Sequence, residues 1–403
     1  MGAAPTRRGW MSSAFEMPRM DRVIYGREAA ARLGEQGRAL GMHRPLVVAS
    51  NTLATTTDVV DHLADDCGAV AVFHHVPPHV PREAVLEVAT RFREHRADGI
   101  VSIGGGSPID CSKAAALAVA AGIAESEDID RHRVRYRHPG PAVVPPLEGT
   151  PPPQIAVGTT LSGGEFTPVA GVTDTARGVK DILLADQITP RVAILDPELA
   201  SRTPRELWLT TGVRAIDHVV EGFYSSRHHP HTDALFLESL RIFSSDLLVS
   251  GDEPSDLELR ERCQVAAWLA IVHLKNVSTG LSHGLGHQLG ARFGVPHGVT
   301  SCILLPPVMA FNRPVTADRQ ARLAAAMGVP VAGMGQEEAA EAAELRLRSM
   351  LSEMGVPTRL RDVGVGPEHF AGLAEEALQD MIVAGNPRPV TVDDALAVLH
   401  AAY

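Results

Sequence analysis

The 403-residue chain is predicted to join an α/β domain built on a parallel sheet, residues 20–202, to an all-helical domain, residues 203–403. Three observations predict this. Short β-branched runs alternate with helical patterns through the first half, the signature of a parallel sheet with crossover helices. One of those strands runs directly into a glycine turn, GGGS at 104–107. After about residue 203, strand signals nearly vanish and long helical patterns follow one another. The length suits about two domains, and a 45% hydrophobic composition is enough for a large core.

The elements follow in order. RPLVVAS (44–50) reads as a strand, DVVDHLADDCG (58–68) as a helix and AVAVFHHV (69–76) as a second strand. REAVLEVATRFREHRADG (82–99) is a long helix, and GIVSIGGGS (99–107) a strand entering its turn. RHPGPAVVPPLEGTPPP (137–153) is too rich in Pro and Gly for either and reads as an exposed loop. QIAVGTT (154–160) is a strand, VTDTARGVKDILL (172–184) a hairpin and RVAILDPEL (191–199) the last strand. Helical patterns then cover 210–226, 231–250, 257–276, 278–291, 301–311, 316–327, 335–354, 366–383 and 391–402.

Other classes are excluded. Residues 1–19 carry two arginines near the start but no apolar core, so they read as a flexible arm, not a secretory signal. A net charge of −11 argues against nucleic acid or an anionic membrane as partner. No apolar run reaches the ~18 residues of a membrane span. Cys67, Cys111, Cys263 and Cys302 are scattered without a CxxC, as expected of buried, reduced thiols in a cytoplasmic protein.

Two loops at strand ends carry binding signals. In GGGSPIDCSK (104–113), Gly104, Gly105, Gly106 and Ser107 precede a helix. Glycines let a phosphate approach the backbone, and the N–H groups of a helix start favour an anion. Asp110 and Lys113 share a helical face near this turn. The bland alternative is a tight turn with no ligand. GTTLSGGEFT (158–167) offers Thr159, Thr160 and Ser162 at a second strand end.

The helical half carries histidines. His283 and His287 lie four apart on one helix face in LSHGLGHQLGARFGVPHG (281–298), with His297 beyond Pro296. His218 lies in TTGVRAIDHVVEGFY (210–224). A lone histidine is usually structural, but imidazoles at this spacing can hold one metal or divide proton transfer from carbonyl polarisation. Arg214 stands one helical turn before His218, where a cation rather than an acceptor is unexpected. His228, His229 and His231, like His74, His75 and His79, read as polar loop residues.

Together these residues resemble the iron-containing (group III) alcohol dehydrogenase family, over about residues 20–400. GGGSPIDCSK matches the family's GGGSxxDxxK motif. Lys180, DPEL (196–199), the histidine pair 283/287, PHG (296–298) and NPRP (386–389) stand in family order. The resemblance implies the fold shared with dehydroquinate synthase, with NAD or NADP bound between an α/β and a helical domain. It implies hydride exchange with a small-molecule alcohol or carbonyl, and a homo-oligomer, often a dimer. By this resemblance Lys180 is cofactor-side, and His218, His283 and His297 are the histidine ligands of Fe or Zn in metal-dependent members. His287 matches a histidine beside the nicotinamide. The remaining ligand, an Asp, would stand where this chain has Arg214.

A guanidinium stays protonated and cannot ligate a metal. Loss or severe weakening of the metal site is therefore expected. The chain resembles most the maleylacetate reductase-like branch, which also lacks this Asp; TTLSGGEFT and HVPREAV (79–85) point the same way, while Asp110 and PHG are closer to the alcohol dehydrogenases. The expected activity is an NAD(P)H-dependent carbonyl reductase. Arg214, His218, His283, His287 and His297 are its candidate catalytic residues, and Arg214 is alternatively paired off with Glu221 or Asp217. Ser50 stands where NAD-selective relatives carry an Asp, which leaves NADP open. The alternatives are an Fe- or Zn-dependent alcohol dehydrogenase, and a non-redox lyase, cyclase or inactive binding homologue.

Overall fold

The computed structural model describes residues 14–138 and 140–403. Six parallel strands form one sheet in the order β1-β8-β5-β4-β2-β3: β1 Arg22–Tyr25, β2 Pro45–Ala49, β3 Ala71–Phe73, β4 Gly99–Gly104, β5 Gln154–Gly158 and β8 Val192–Leu195. Every residue of β2, β4, β5 and β8 is buried, as parallel strands covered on both faces must be. Gly104 pairs with Gly158, and Ala49 with Ile103. The C-terminal ends of β2, β4 and β5 are therefore level and adjacent, and Ser50, the GGGS turn and the TTLSG loop meet in one crevice. β6 (Val169–Asp174) and β7 (Val179–Leu184) form a separate antiparallel hairpin.

Beyond β8 the chain is helical. The helix Arg205–Phe223 runs buried through this half, with Trp208, Val219 and Phe223 fully enclosed. Each such side chain contributes roughly 1.5–3 kcal/mol by burial, and Phe223→Ala would cost roughly 3–5 kcal/mol. Around it pack the helices Pro230–Asp252, Leu257–Ile271 and His297–Ala326. Among the described residues, no helix is long and apolar enough to cross a membrane. The four cysteines are buried and free.

Three features differ from the sequence reading. β1 has only four residues, too short to show a period, and gains its place by pairing with β8. The helices expected at 301–311 and 316–327 are one helix, His297–Ala326, running through Pro306, Pro307 and Pro314. A proline removes a donor and normally ends or kinks a helix. Here Gln320 Nε2 donates to the Met309 carbonyl at 2.9 Å and Arg388 Nη1 to that of Phe311 at 3.0 Å, so carbonyls near Pro314 keep donors. The helix expected at 366–383 is α-helical only over Phe370–Ala377, flanked by 3-10 turns. Of the arm expected at 1–19, residues 1–13 lie outside the described residues. Glu16 is docked: its amide donates to Asn276 Oδ1 at 2.7 Å.

Candidate active site

The cofactor side is a cleft of about 630 Å³ lined by Ser50, Gly105, Gly106, Ser107, Thr159, Thr160 and Ser162. A Cβ on Gly105 would lie 2.9 Å from Thr160 Cγ2, so only glycine lets the two loops approach this closely. The helix Gly106–Ala120 opens on the cleft without a side-chain cap, leaving its first N–H groups to meet an anion. These residues fit a dinucleotide's phosphates. No Asp or Glu lines the cleft, while Arg202 and His75 do; His75 had read as a loop residue.

Asp110 and Lys113 stand behind this turn rather than along the cleft. Lys113 is fully buried and donates to the Gly164 carbonyl at 2.9 Å, to that of Val169, and to Asp110 at 2.9 Å. It staples the helix to the 158–169 loop. Asp110 Oδ2 accepts the Gly171 amide at 3.1 Å. A Cβ on Gly171 would meet Lys180 Cε at 2.4 Å. Lys180 passes over this glycine and reaches the helical half, where Nζ lies 2.8 Å from His297 Nε2.

The helix Arg205–Phe223 links cleft and histidines. Leu207, Thr211, Arg214 and His218 recur at helical spacing along one face, and the first two line the cleft. Arg214 Nη1 donates to Ser301 Oγ at 3.2 Å and lies 3.6 Å from Asp217 Oδ2. Asp217, fully buried, also accepts from Ser282 at 2.9 Å and Ser301 at 2.6 Å. His218 and His283 have ring centres 4.9 Å apart, and His287 and His297 5.7 Å apart. His283 Nδ1 bonds Glu221 at 2.7 Å, and Glu221 also accepts the amides of Gly280 and Ser282. His287 Nδ1 bonds Asp380 at 2.6 Å.

Burial holds His218 and His283 well below the usual histidine range, and the Arg214 guanidinium depresses both further. His297 is held low chiefly by Lys180, then by burial and Arg214. Lys180 is itself lowered by burial, with Arg214 adding to it and Asp110 opposing. Burial raises Asp217 and Glu221. Asp380, which burial alone would raise, is held low by His287. His218, His283 and His297 are thus all held toward the neutral form, with Arg214 and Lys180 as the cations that add to burial.

Arg214 and Lys180 weigh against a divalent metal here, while His218 Nδ1, His283 Nε2 and His297 Nδ1 are buried nitrogens without a partner. Among the described residues, the groups whose ligating atoms lie within 4.8 Å of one another are Asp217–Glu221–His283 and Asp130–Asp174–Asp181; His218, His283 and His297 do not form one. In the first group Glu221 is engaged by amides and His283, while Asp217 Oδ1 has no hydrogen-bond partner; the second is threaded by Arg82 and Arg177. His297 Nε2 is taken by Lys180, and Arg214 stands beside Asp217 where a further cation would be repelled.

Sequence reasoning missed Asp380, Ser301 and Ser282, and saw Asp217 and Glu221 only as possible partners of Arg214. Glu221 lay within reach: it follows His218 by three on a helix, so both share a face. Asp380 meets His287 across 93 residues, and nothing local marks it.

Comparison with known proteins agrees with this architecture. Residues 20–197 match the iron-containing alcohol dehydrogenase family, and residues 208–403 match the C-terminal part of the Fe-containing alcohol dehydrogenase family. Lactaldehyde reductase of Escherichia coli (strain K12) is 32% identical over 389 residues, covering 94% of this chain and 97% of its own. Maleylacetate reductase 2 of Cupriavidus pinatubonensis (strain JMP 134 / LMG 1197) is 32% identical over 384 residues, 95% of this chain and 94% of its own. A crystal structure of 1,3-propanediol oxidoreductase superposes with a TM-score of 0.88 at 30% identity, over 97% of this chain and all of that one. The chain belongs to the iron-containing alcohol dehydrogenase family and is an NAD(P)-dependent oxidoreductase acting on CH–OH and C=O groups.

Proposed function

We propose that this chain is a carbonyl reductase that works without a metal, with Arg214 supplying the positive charge that a metal supplies elsewhere. The observation that carries this reading is the place of Arg214: 3.6 Å from buried Asp217, on the helix face leading from the cofactor cleft to the histidines. Bound in that cleft, NAD(P)H supplies the hydride. Ser50, Gly104–Ser107, Thr159, Thr160 and Ser162 bind and orient it. As the substrate oxygen gains negative charge, Arg214 stabilises it from a site dry enough for the interaction to be strong.

The proton falls to His287. Its Nδ1 is held by Asp380, which leaves Nε2 free for the substrate, and its side chain is 17% exposed, so it can exchange with water. His218, His283 and His297 shape the pocket around the reacting group as neutral imidazoles. The maleylacetate reductase relative supports a reductase, but its substrate is not carried over. A metal-dependent dehydrogenase is the second reading, favoured by the partnerless buried nitrogens His218 Nδ1 and His283 Nε2.

Arg214→Ala tests the proposal. Loss of about 10²–10³-fold in kcat/KM with NAD(P)H affinity kept is expected. Unchanged turnover and affinity would sink it.

A further inference from the structure

The start of the described chain lies over a cavity next to this site. Phe15 packs against the rings of His229, His231 and His273, with centres 5.0, 5.2 and 5.2 Å away. Asn276 grips Glu16 from both sides, accepting its amide at 2.7 Å and donating to its carbonyl at 2.8 Å. Lys275 contacts the Glu16 carboxylate and lies 2.7 Å from Asp186 Oδ1. Six residues on, Arg22 enters the sheet as the start of β1. The stretch between is a strap anchored at both ends, bridging the helical half and the α/β half.

Beneath it is a cavity of about 480 Å³, and Glu16, Met17, Pro18 and Arg19 line it. Its lining is mostly apolar, Phe166, Leu184, Ile271 and Leu274 among it, with Arg19, Arg227 and Lys275 as its cations. Tyr136 and Met381 line both this cavity and the neighbouring pocket that holds His287 and Lys180. Met381 and Ile382 line the cavity and directly follow Asp380, which holds His287. Thr279 lines it too, next to Gly280, whose amide donates to Glu221 at 2.8 Å.

We propose that the strap Phe15–Arg19 is a specificity-determining wall, and that the cavity it closes takes the hydrocarbon body of an aldehyde or ketone whose carbonyl points toward His287. This rests on the reading of the chain as a carbonyl reductase. An apolar body gains from every buried methylene. Because both ends of the strap are fixed, the wall stands at a set distance from the histidines, and that distance limits the length of the substrate.

The test uses the full chain, with Phe15→Ala and Asn276→Ala made separately so that one folding failure does not end it. Each protein is assayed with NADPH and NADH on straight-chain aldehydes of increasing length. The matching alcohols are titrated by thermal shift, which reads occupancy without turnover. Wild-type kcat/KM is expected to rise with chain length to a limit. Releasing the strap moves that limit outward and raises kcat/KM for the longest aldehyde about tenfold, through KM, with cofactor affinity unchanged. An identical length profile in folded variants overturns the proposal. Should the wild type bind cofactor yet reduce no aldehyde, the reductase reading fails, and the alcohol series decides the strap: a length dependence altered by the substitutions supports it, an unaltered one overturns it.

Discussion

Nζ of Lys180 lies 2.8 Å from Nε2 of His297, so a lysine from the β6–β7 hairpin and a histidine at a helix start share one hydrogen bond across the two halves. Both residues are partly buried, and the lysine is the first cause of the depressed basicity of His297.

Lys180→Met keeps the length of the side chain and removes its charge. The pKa of His297 is then expected to move upward, toward the ordinary histidine range, because its largest depressing neighbour is gone. Titration of the His297 ring signal by NMR, assigned with His297→Gln, reads this directly. An unmoved signal would mean that Lys180 does not set the state of His297.

His287 and Asp380 act together if His287 delivers the proton. His287→Gln should lower kcat by about 10²–10⁴-fold. Asp380→Asn should lower it less and change its pH dependence. Equal pH profiles for Asp380→Asn and wild type would reduce Asp380 to a packing role.

The parts of this site that were legible in the sequence are those written locally. The strand Gly99–Gly104 ends in its own glycines, so both the strand and its turn could be read in one stretch. His283 and His287 could be placed on one helix by spacing alone. Arg214 stood out because it precedes His218 by one turn. Contacts between distant segments were not legible: Asp380 on His287, and Ser301 on Arg214 and Asp217. The sequence places Lys113 on one face with Asp110 near the turn but does not show it as a staple, because the carbonyls it serves lie more than fifty residues away. The helix through Pro314 was misread for the same reason, since its compensating donors Gln320 and Arg388 come from beyond the local window.

The cleft bears on the choice of cofactor. Ser50 lines it and no carboxylate does, so nothing there repels a 2′-phosphate. Ser50→Asp is expected to lower kcat/KM for NADPH by about tenfold or more, the cost of facing two like charges, while sparing NADH. Parallel losses with both cofactors would place the ribose elsewhere.

Glu165 gives a pH test of stability. Burial pushes its carboxyl up from 4.5 to about 7, and its Oε2 has no partner. A folded pKa above the unfolded one means that the folded state holds the proton more tightly. The stability this confers is fully present below pH ~4.5 and is lost as pH rises through ~7. Glu165→Gln removes that loss. Its stability relative to wild type should therefore climb between pH 5 and 8, by up to about 3 kcal/mol, measured by denaturant unfolding. A difference independent of pH would show that Glu165 titrates normally.

The central claim is that Arg214 stands in for a metal. The most direct measurement is elemental analysis of protein expressed with iron and zinc supplied and purified without chelators, alongside an NAD(P)H binding titration. The account predicts far less than one metal per chain with cofactor binding intact. One iron or zinc per chain, lost in a His218→Ala or His283→Ala variant, would contradict it.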